Sequence, residues 1–560
     1  MHLQQTKRGS RGTGGPQYYF HNLTGAVKTY LREQGAVRVA LVTPICPALP
    51  SFNPSMTAYS DIAPIESPIA ADRQGAKRHY GVHPYFTRRP YNVVRKYILN
   101  YSQEGDLVLD PFGGSGVTAI EAFLENRVGA QNDINPLANF IAQGIADLRL
   151  GDLSDYQQAL AFLRERCEQR VEEINKLSET ELLATLDKLP LPANVALPSN
   201  SDVERYYDLF TPKQLASLAV LREAVDAIAN PAARQGMLLA WSATLGKLNK
   251  TFLSAEGRAE SRGGSSIFSI YRYKVAKEPV ELPPWPTFQE RAINILDAKS
   301  EIDRIIELKK QTGGWKGDLL VKAQDIEELG VEFEDSVDYI FTDPPYGGHI
   351  SYLDLSTLWN VWLSRMPSQG IREKELIVGG ELDFSEEKYI KRLGASVRVC
   401  MKMLKKGRWL SLVFQHWDIA YFDAILTAAA ESGADLKAAV SQVGDPIWSM
   451  HKKKSKQSVL AGEMILTFFK TGASKSVHKT NNFDVSETLG TILAATNSGK
   501  IYGEYLFNKV VIEAWNRSAI GSLNISKTEF IDLIKQHGWR YDEEHHYWVK
   551  GQPAVASLFS

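Results

Sequence analysis

The stretch Leu107–Leu124 constrains the fold more than any other part of the chain. Leu107-Val108-Leu109-Asp110 reads as a short apolar strand, and Pro111-Phe112-Gly113-Gly114-Ser115-Gly116 as a glycine-rich turn. Val117 to Leu124 then has the pattern of an amphipathic helix. A strand turning on glycines into a helix is a building unit of doubly wound α/β sheets. Glycines let the backbone approach a ligand without Cβ clashes, and the helix N-terminus supplies free N–H groups. Gly114-x-Gly116-x-x-Ala119 also fits the dinucleotide fingerprint, and Asp133 follows at roughly the spacing of a ribose-binding acid. On these residues alone the ligand stays open between nicotinamide, flavin and S-adenosylmethionine, and a glycine-lined turn without a ligand is the plainer alternative.

A second motif narrows the choice. Val337-Asp338-Tyr339-Ile340-Phe341 reads as a buried strand, and Thr342-Asp343-Pro344-Pro345-Tyr346 closes it. Taken by itself this is a strand followed by a proline turn. Its residue types, however, suit the methylation of an amine attached to an aromatic base. The lone pair of such a nitrogen is conjugated into the ring, which makes it a poor nucleophile. A site accepting hydrogen bonds from both amine protons pulls the nitrogen towards tetrahedral geometry and frees the pair. Asp343 offers a carboxylate and Pro344 a carbonyl, while the successive prolines stiffen the backbone and remove competing donors. Tyr346 can stack on a base held outside its helix.

Together, Asp110-Pro-Phe-Gly-Gly-Ser-Gly116 and Asp343-Pro-Pro-Tyr346 resemble the motifs of the DNA amino-methyltransferases, the N6-adenine and N4-cytosine methylases. The resemblance extends to His83-Pro84-Tyr85-Phe86-Thr87-Arg88-Arg89-Pro90, where family members carry a segment folding over the methionine end of the methyl donor. It implies a class I S-adenosylmethionine-dependent methyltransferase fold: α/β, doubly wound, with a seven-stranded and mostly parallel sheet. It implies S-adenosylmethionine as cofactor, bound by Asp110, Pro111, Phe112, Gly113, Gly114, Ser115, Gly116, Asp133 and Asp325. The glycines are expected to pass beneath the methionine and ribose, Asp110 to lie near the amino group, and Asp133 to accept from the ribose hydroxyls. Asp325, in Lys322-Ala-Gln-Asp325, is expected to meet the adenine amine, and Asp343, Pro344, Pro345 and Tyr346 to form the catalytic site. Among the acids, the plainer alternatives are surface carboxylates or helix caps.

Composition agrees with a large enzyme. The chain has 560 residues, room for two or three domains, and no apolar run of membrane-spanning length. The start, His2 to Tyr19, is basic and glycine-rich without an apolar centre, and reads as a disordered tail rather than a secretory signal. Three dispersed cysteines, Cys46, Cys167 and Cys400, argue against a disulfide framework or a Cys₄ zinc site and point to the cytoplasm. No metal is expected. The formal net charge of −1 leaves any attraction to nucleic acid to local clusters.

Strands are expected at 107–110, 128–133, 319–323, 337–342, 409–414, 438–443 and 464–470, the last two as an antiparallel pair. Helices are expected at 91–101, 117–126, 136–147, 390–405 and 419–432, the fourth ending at Lys405-Lys406-Gly407. The predicted organisation is a partly disordered extension over 1–79, a catalytic domain from 80–150 and 317–472, a mainly helical insertion over 151–316, and a small α+β module over 480–560. The insertion falls after the second strand. In one group of the family the target-recognition domain lies between the two motifs, so the insertion is a candidate for that role. Within it, Arg258, Arg262 and Arg272 interleave with glycines, hydroxyls and aromatics, as a strand-clamping loop requires; an ordinary loop and β-strand over 267–274 is the alternative. Lys452, Lys453 and Lys454 precede the last strand, and read either as phosphate contacts or as a solvated loop. The C-terminal helices and aromatic hairpin read as a winged-helix-like module or a plain packing domain.

The function expected is methylation of adenine N6 in double-stranded DNA, by base flipping and direct in-line transfer. N4-cytosine methylation and RNA guanine-N2 methylation are the alternatives, since RNA enzymes also use Asp-Pro-Pro-Tyr. Restriction or defence-system proteins are partners that the family's usual setting suggests.

Overall fold

The computed structural model describes residues 58–72, 78–253, 264–276, 280–348, 350–442, 463–476, 483–545 and 547–551. The basic start of the chain, Arg258, Arg262 and Lys452 to Lys454 lie outside the described residues.

Seven strands make the central sheet: β1 Leu107–Asp110, β2 Val128–Asn132, β3 Asp318–Lys322, β4 Val337–Thr342, β5 Leu404–Phe414, β6 Ala434–Ser441 and β7 Met464–Lys470. Their order is β3-β2-β1-β4-β5-β7-β6. The pairs from β3 through β5 are parallel, and β7 runs antiparallel to both β5 and β6. This is the class I methyltransferase α/β arrangement. The order reverses between β1 and β4, the switch point where open α/β sheets form a crevice at strand C-termini. Leu109 stands opposite Ile340, so Asp110 and Thr342 end their strands side by side.

The two-residue period of the central strands sorts side chains between two cores. Val108, Tyr339 and Phe341 enter one core; Leu109 and Ile340 enter the other. The first core holds α1 (Tyr91–Tyr101), α2 (Val117–Leu124), α3 (Pro136–Asp147) and the insertion. The insertion is built on α4 (Leu153–Lys176), α5 (Pro212–Asp226), α6 (Pro231–Leu245) and α7 (Pro284–Gly313). It docks on the short helices after Tyr346: the Tyr273 hydroxyl donates to the Leu355 carbonyl at 2.7 Å, and Trp359 Nε1 donates to the Ser242 carbonyl at 3.0 Å. Trp359 and Trp362 are buried in that contact, as core residues.

The second core holds α8 (Ile326–Glu332), α9 (Glu386–Met403) and α10 (Ile419–Glu431) with the C-terminal module. That module runs α11 (Val485–Ala494), a strand at Lys500–Ile501, α12 (Gly503–Asn516), α13 (Lys527–Gln536), and a hairpin of Trp539–Asp542 with Tyr547–Lys550. The strand at Lys500–Ile501 pairs with the second hairpin strand. Trp417, in the loop after β5, stacks on Phe507 of α12 with ring centroids 4.1 Å apart. Such a pair contributes roughly 0.5–1.5 kcal/mol beyond its burial. The hairpin tip carries Asp542, Glu543 and Glu544, which repel phosphate rather than attract it.

Two expectations and one alternative need correction. The helix expected at 390–405 is α9: Ser385 caps it by accepting from the Lys388 N–H, and it ends at Met403. Leu404 is already extended and buried, and Lys405-Lys406-Gly407 belong to β5 instead of a helix terminus. Gly407, at φ +75°, sits where the β4–β5 register slips between Val337 and Tyr339. Finally, 267–274 forms no strand: Ser265 caps a single helical turn, Ser266–Ser269, and Tyr271 is left-handed at φ +55°. Among the described residues no helix is long and apolar enough to cross a membrane.

Candidate active site

The glycine turn is tied to the ends of its neighbouring strands. Gly113 N–H donates to the Asn132 carbonyl and Gly114 N–H to Asp133 Oδ2, both at 2.9 Å. Asp133 Oδ1 also accepts from the Asn135 N–H at 2.8 Å. Gly116 begins α2 in the left-handed region at φ +90°, and a Cβ there would lie 2.7 Å from that of Ala142. No other residue suits that position.

Asp110 joins the two motifs. Its Oδ1 accepts from the Thr342 hydroxyl at 2.8 Å and the Phe112 N–H at 3.1 Å, and its Oδ2 from the Thr118 hydroxyl at 2.8 Å. The carboxylate expected near the donor's amino group is thus engaged by the protein on both oxygens. Thr342 directly precedes Asp343, so this contact fixes the start of the second motif against the first across 232 residues.

The segment His83–Pro90 folds over the turn. Arg88 Nε donates to Ser115 Oγ at 2.8 Å, and its Nη atoms donate to the carbonyls of Tyr80 and His83. Tyr85 covers Gly114, its Cε1 lying 3.1 Å from where a Cβ would stand. Arg89 reaches further: Nε donates to Asp343 Oδ2 at 2.5 Å and Nη2 to the Tyr346 hydroxyl at 2.9 Å. The Tyr346 hydroxyl donates to Asp343 Oδ1. Burial raises the Asp343 carboxyl above the usual carboxylate range, and the Arg89 guanidinium works against that rise.

Behind the motif, the Tyr389 hydroxyl donates to the Pro345 carbonyl, and Phe414 packs edge-on against Tyr346 with centroids 5.2 Å apart. Among the described residues nothing donates to the Pro344 carbonyl.

Eight of the nine residues expected at the donor, all but Gly116, and all four expected in catalysis line one cavity. The cavity measures about 1560 Å³ with its open mouth. Asp325 lines it but also caps α8, accepting from the Glu327 N–H at 2.7 Å, with Lys374 Nζ 3.6 Å away. Arg272, by contrast, forms an ion pair with Asp202 inside the insertion. Sequence reading missed Glu375, which lines the same cavity and accepts from the Leu353 N–H at 3.2 Å. It also gave no role to Arg89 and none to Tyr389; only the proline after Arg89 hinted at a fixed position. Burial pushes Asp133 up to about 6, Asp110 up to about 7 and Glu375 up to about 8. An enclosure of acids held near neutrality is chemically suited to a cationic ligand. Among the described residues no group of three or more His, Cys, Asp or Glu could hold a metal ion.

Residues 58–141 match the DNA methylase family model for N6 and N4 enzymes. Over this block the chain is similar to the N6/N4 DNA methylases. The matched block covers the His83–Pro90 segment and the glycine turn, and the fold brings Asp343–Tyr346 to it. Two curated relatives are similar in sequence. One is the type II methyltransferase M.MjaII of Methanocaldococcus jannaschii, 25% identical over 121 residues, which is 22% of each chain. The other is the type II methyltransferase M2.MboI of Moraxella bovis, 39% identical over 56 residues, 10% of this chain and 20% of the relative. The chain thus spans about a fifth of the length of the curated relatives it matches.

Proposed function

We propose that this chain transfers a methyl group from S-adenosylmethionine to the N6 amine of adenine in double-stranded DNA. The observation that carries the reading is the Asp110–Thr342 contact, which sets the glycine turn and Asp343-Pro344-Pro345-Tyr346 around one cavity. Asp110, Asp133 and Glu375 fit a donor bearing a sulfonium and an ammonium, because a cation draws buried acids into their charged form. Asp in the first position of the motif, rather than Ser, favours adenine over cytosine in the family's pattern. The description of the matching family model, DNA methylase, favours DNA over RNA.

When bound, S-adenosylmethionine supplies an electrophilic methyl group, so the protein's task is alignment and activation of the amine. Asp343 accepts one amine proton and the Pro344 carbonyl the other, while Tyr346 stacks against the flipped base. Asp343 need not be a strong base, because the amine proton becomes acidic as the nitrogen gains positive charge. Asp133, Glu375 and Asp325 hold the donor side of the cavity. Arg88, through Ser115, keeps the covering segment closed on the glycine turn.

The test is transfer of labelled methyl groups to unmethylated genomic duplex DNA, with structured RNA in parallel and product nucleosides resolved by mass spectrometry. Methyl-adenine in DNA is the expected product. Methyl-cytosine would keep the mechanism and change the base; label in RNA alone would overturn the DNA reading.

A pH dependence follows from the three acids. Each has a folded pKa above its unfolded value, so its contribution to stability is present at low pH and is lost as pH rises through about 6 to 8. A cationic donor offsets that loss. Donor affinity should therefore rise roughly tenfold or more between pH 6 and 8.5, as it would if the donor drew a single acid's pKa down by about one. Thermal shifts measured with and without donor should widen over the same window; a gap that narrows would remove these acids from the donor site.

A further inference from the structure

Arg89 pairs with the carboxylate that the proposed reading gives to the target amine. Its three nitrogens divide between three acceptors: Asp343 Oδ2 at 2.5 Å, the Tyr346 hydroxyl at 2.9 Å, and Glu463 Oε2, 2.6 Å from Nη1. With Tyr346 on Oδ1, both Asp343 oxygens have protein partners. The guanidinium carbon lies 5.8 Å from the centroid of the Tyr346 ring, beside the surface a base would stack on.

Charge explains why such a group is needed. An enclosed carboxylate without a partner is strongly unfavourable, and between catalytic cycles Asp343 has no amine to pair with. Neighbouring cations are committed elsewhere: Lys374 to Asp325 and Glu328, Arg392 to the carbonyls of residues 373–375, and Arg88 to Ser115 and two carbonyls. A planar guanidinium presents N–H groups to a carboxylate as an aromatic amine does. Glu463, just before β7, gives that charge a second partner that involves neither Asp343 nor Tyr346.

We propose that Arg89 is a place-holder for the target amine, paired with Asp343 in the base-free enzyme and handed to Glu463 as the base enters. This rests on the DNA-methylase reading. Arg89 is then a positioning residue that sets how readily the pocket accepts a base. No covalent step is involved, only an exchange of hydrogen-bond donors on Asp343.

The exchange gives two substitutions opposite signs. Arg89→Ala removes the competitor and should lower the KM for genomic duplex DNA; a place-holder present about 90% of the time weakens apparent binding roughly tenfold. Glu463→Gln removes the second partner, holds Arg89 on Asp343 and should raise that KM. Arg89→Lys, able to reach one carboxylate at a time, should fall between wild type and Arg89→Ala. Changes in the same direction for Arg89→Ala and Glu463→Gln would make the contact merely structural and overturn the proposal.

A second readout needs no DNA. The infrared carboxyl band of Asp343, assigned by its loss in Asp343→Asn, should titrate at higher pH in Arg89→Ala than in wild type. If the wild type methylates no DNA, the functional reading fails. Whether Arg89 neutralises Asp343 is still decided by this band, and an unmoved band overturns it.

Discussion

Replacing Asp343 with asparagine is expected to lower methyl transfer about a thousandfold, with donor affinity unchanged within a few-fold. The magnitude is that of losing one preorganised catalytic group. Asparagine matches aspartate in shape and keeps one acceptor, but its amide presents two donors where the site needs acceptors. One amide face would oppose the target amine or Arg89 Nε, and amine activation would stop. The donor side should be spared, because Asp110, Asp133 and Glu375 do not hydrogen-bond to Asp343. Folding should hold as well, because Arg89 keeps its ion pair with Glu463. Single-turnover transfer of label, with calorimetry of donor binding, separates the two effects. Retention of more than a tenth of wild-type transfer would remove Asp343 from the chemistry.

Gly129→Ala should destabilise the fold by roughly 3 kcal/mol or more, the top of the range for overpacking a core. Total stabilities of about 5–15 kcal/mol make that a large fraction. Gly129 lies in β2 under α2, and a Cβ there would stand 2.0 Å from the Ala119 carbonyl oxygen and 2.8 Å from its carbon. Both are backbone atoms, so no rotamer change relieves the clash and the helix must lift. Because α2 carries the glycine turn at its N-terminus, donor affinity should fall with stability. Gly81→Ala is the control: nothing lies within 4 Å of its Cβ, and its effect should stay within about 0.5 kcal/mol. Denaturant midpoints measure both, and equal midpoints would mean that α2 does not sit on β2 as closely as described.

How much of this could be read from the sequence depended on how local each cause was. The strands β1, β4 and β7 are short apolar runs whose interiors are buried, so their bounds followed from residue type alone. The start of β5 did not, because Lys405-Lys406-Gly407 after an amphipathic helix has every mark of a helix terminus, and only pairing with β4 makes it strand. The glycine turn and Asp343–Tyr346 were legible as chemistry, but not the contact that joins them. Asp110 was legible as a candidate ligand residue, but its contacts with Thr342, Thr118 and Phe112 were not. Arg89 finds Asp343 254 residues away, and Glu375 acquires its environment only when Leu353 packs beside it. Contacts of that kind leave no periodicity and no spacing to read.

The carbonyls of Pro344 and Pro345 differ in a way that bears on when the reaction stops. Tyr389 occupies the Pro345 carbonyl, leaving Pro344 and Asp343 as two separate acceptors at the motif. On the proposed reading, a substrate nitrogen must offer two protons to be drawn out of conjugation. A nitrogen that has received one methyl retains a single proton and can satisfy only one acceptor, with the other left facing a methyl group. On that reading the product is a poor substrate for the site that made it, and the backbone itself would limit transfer to one methyl per base.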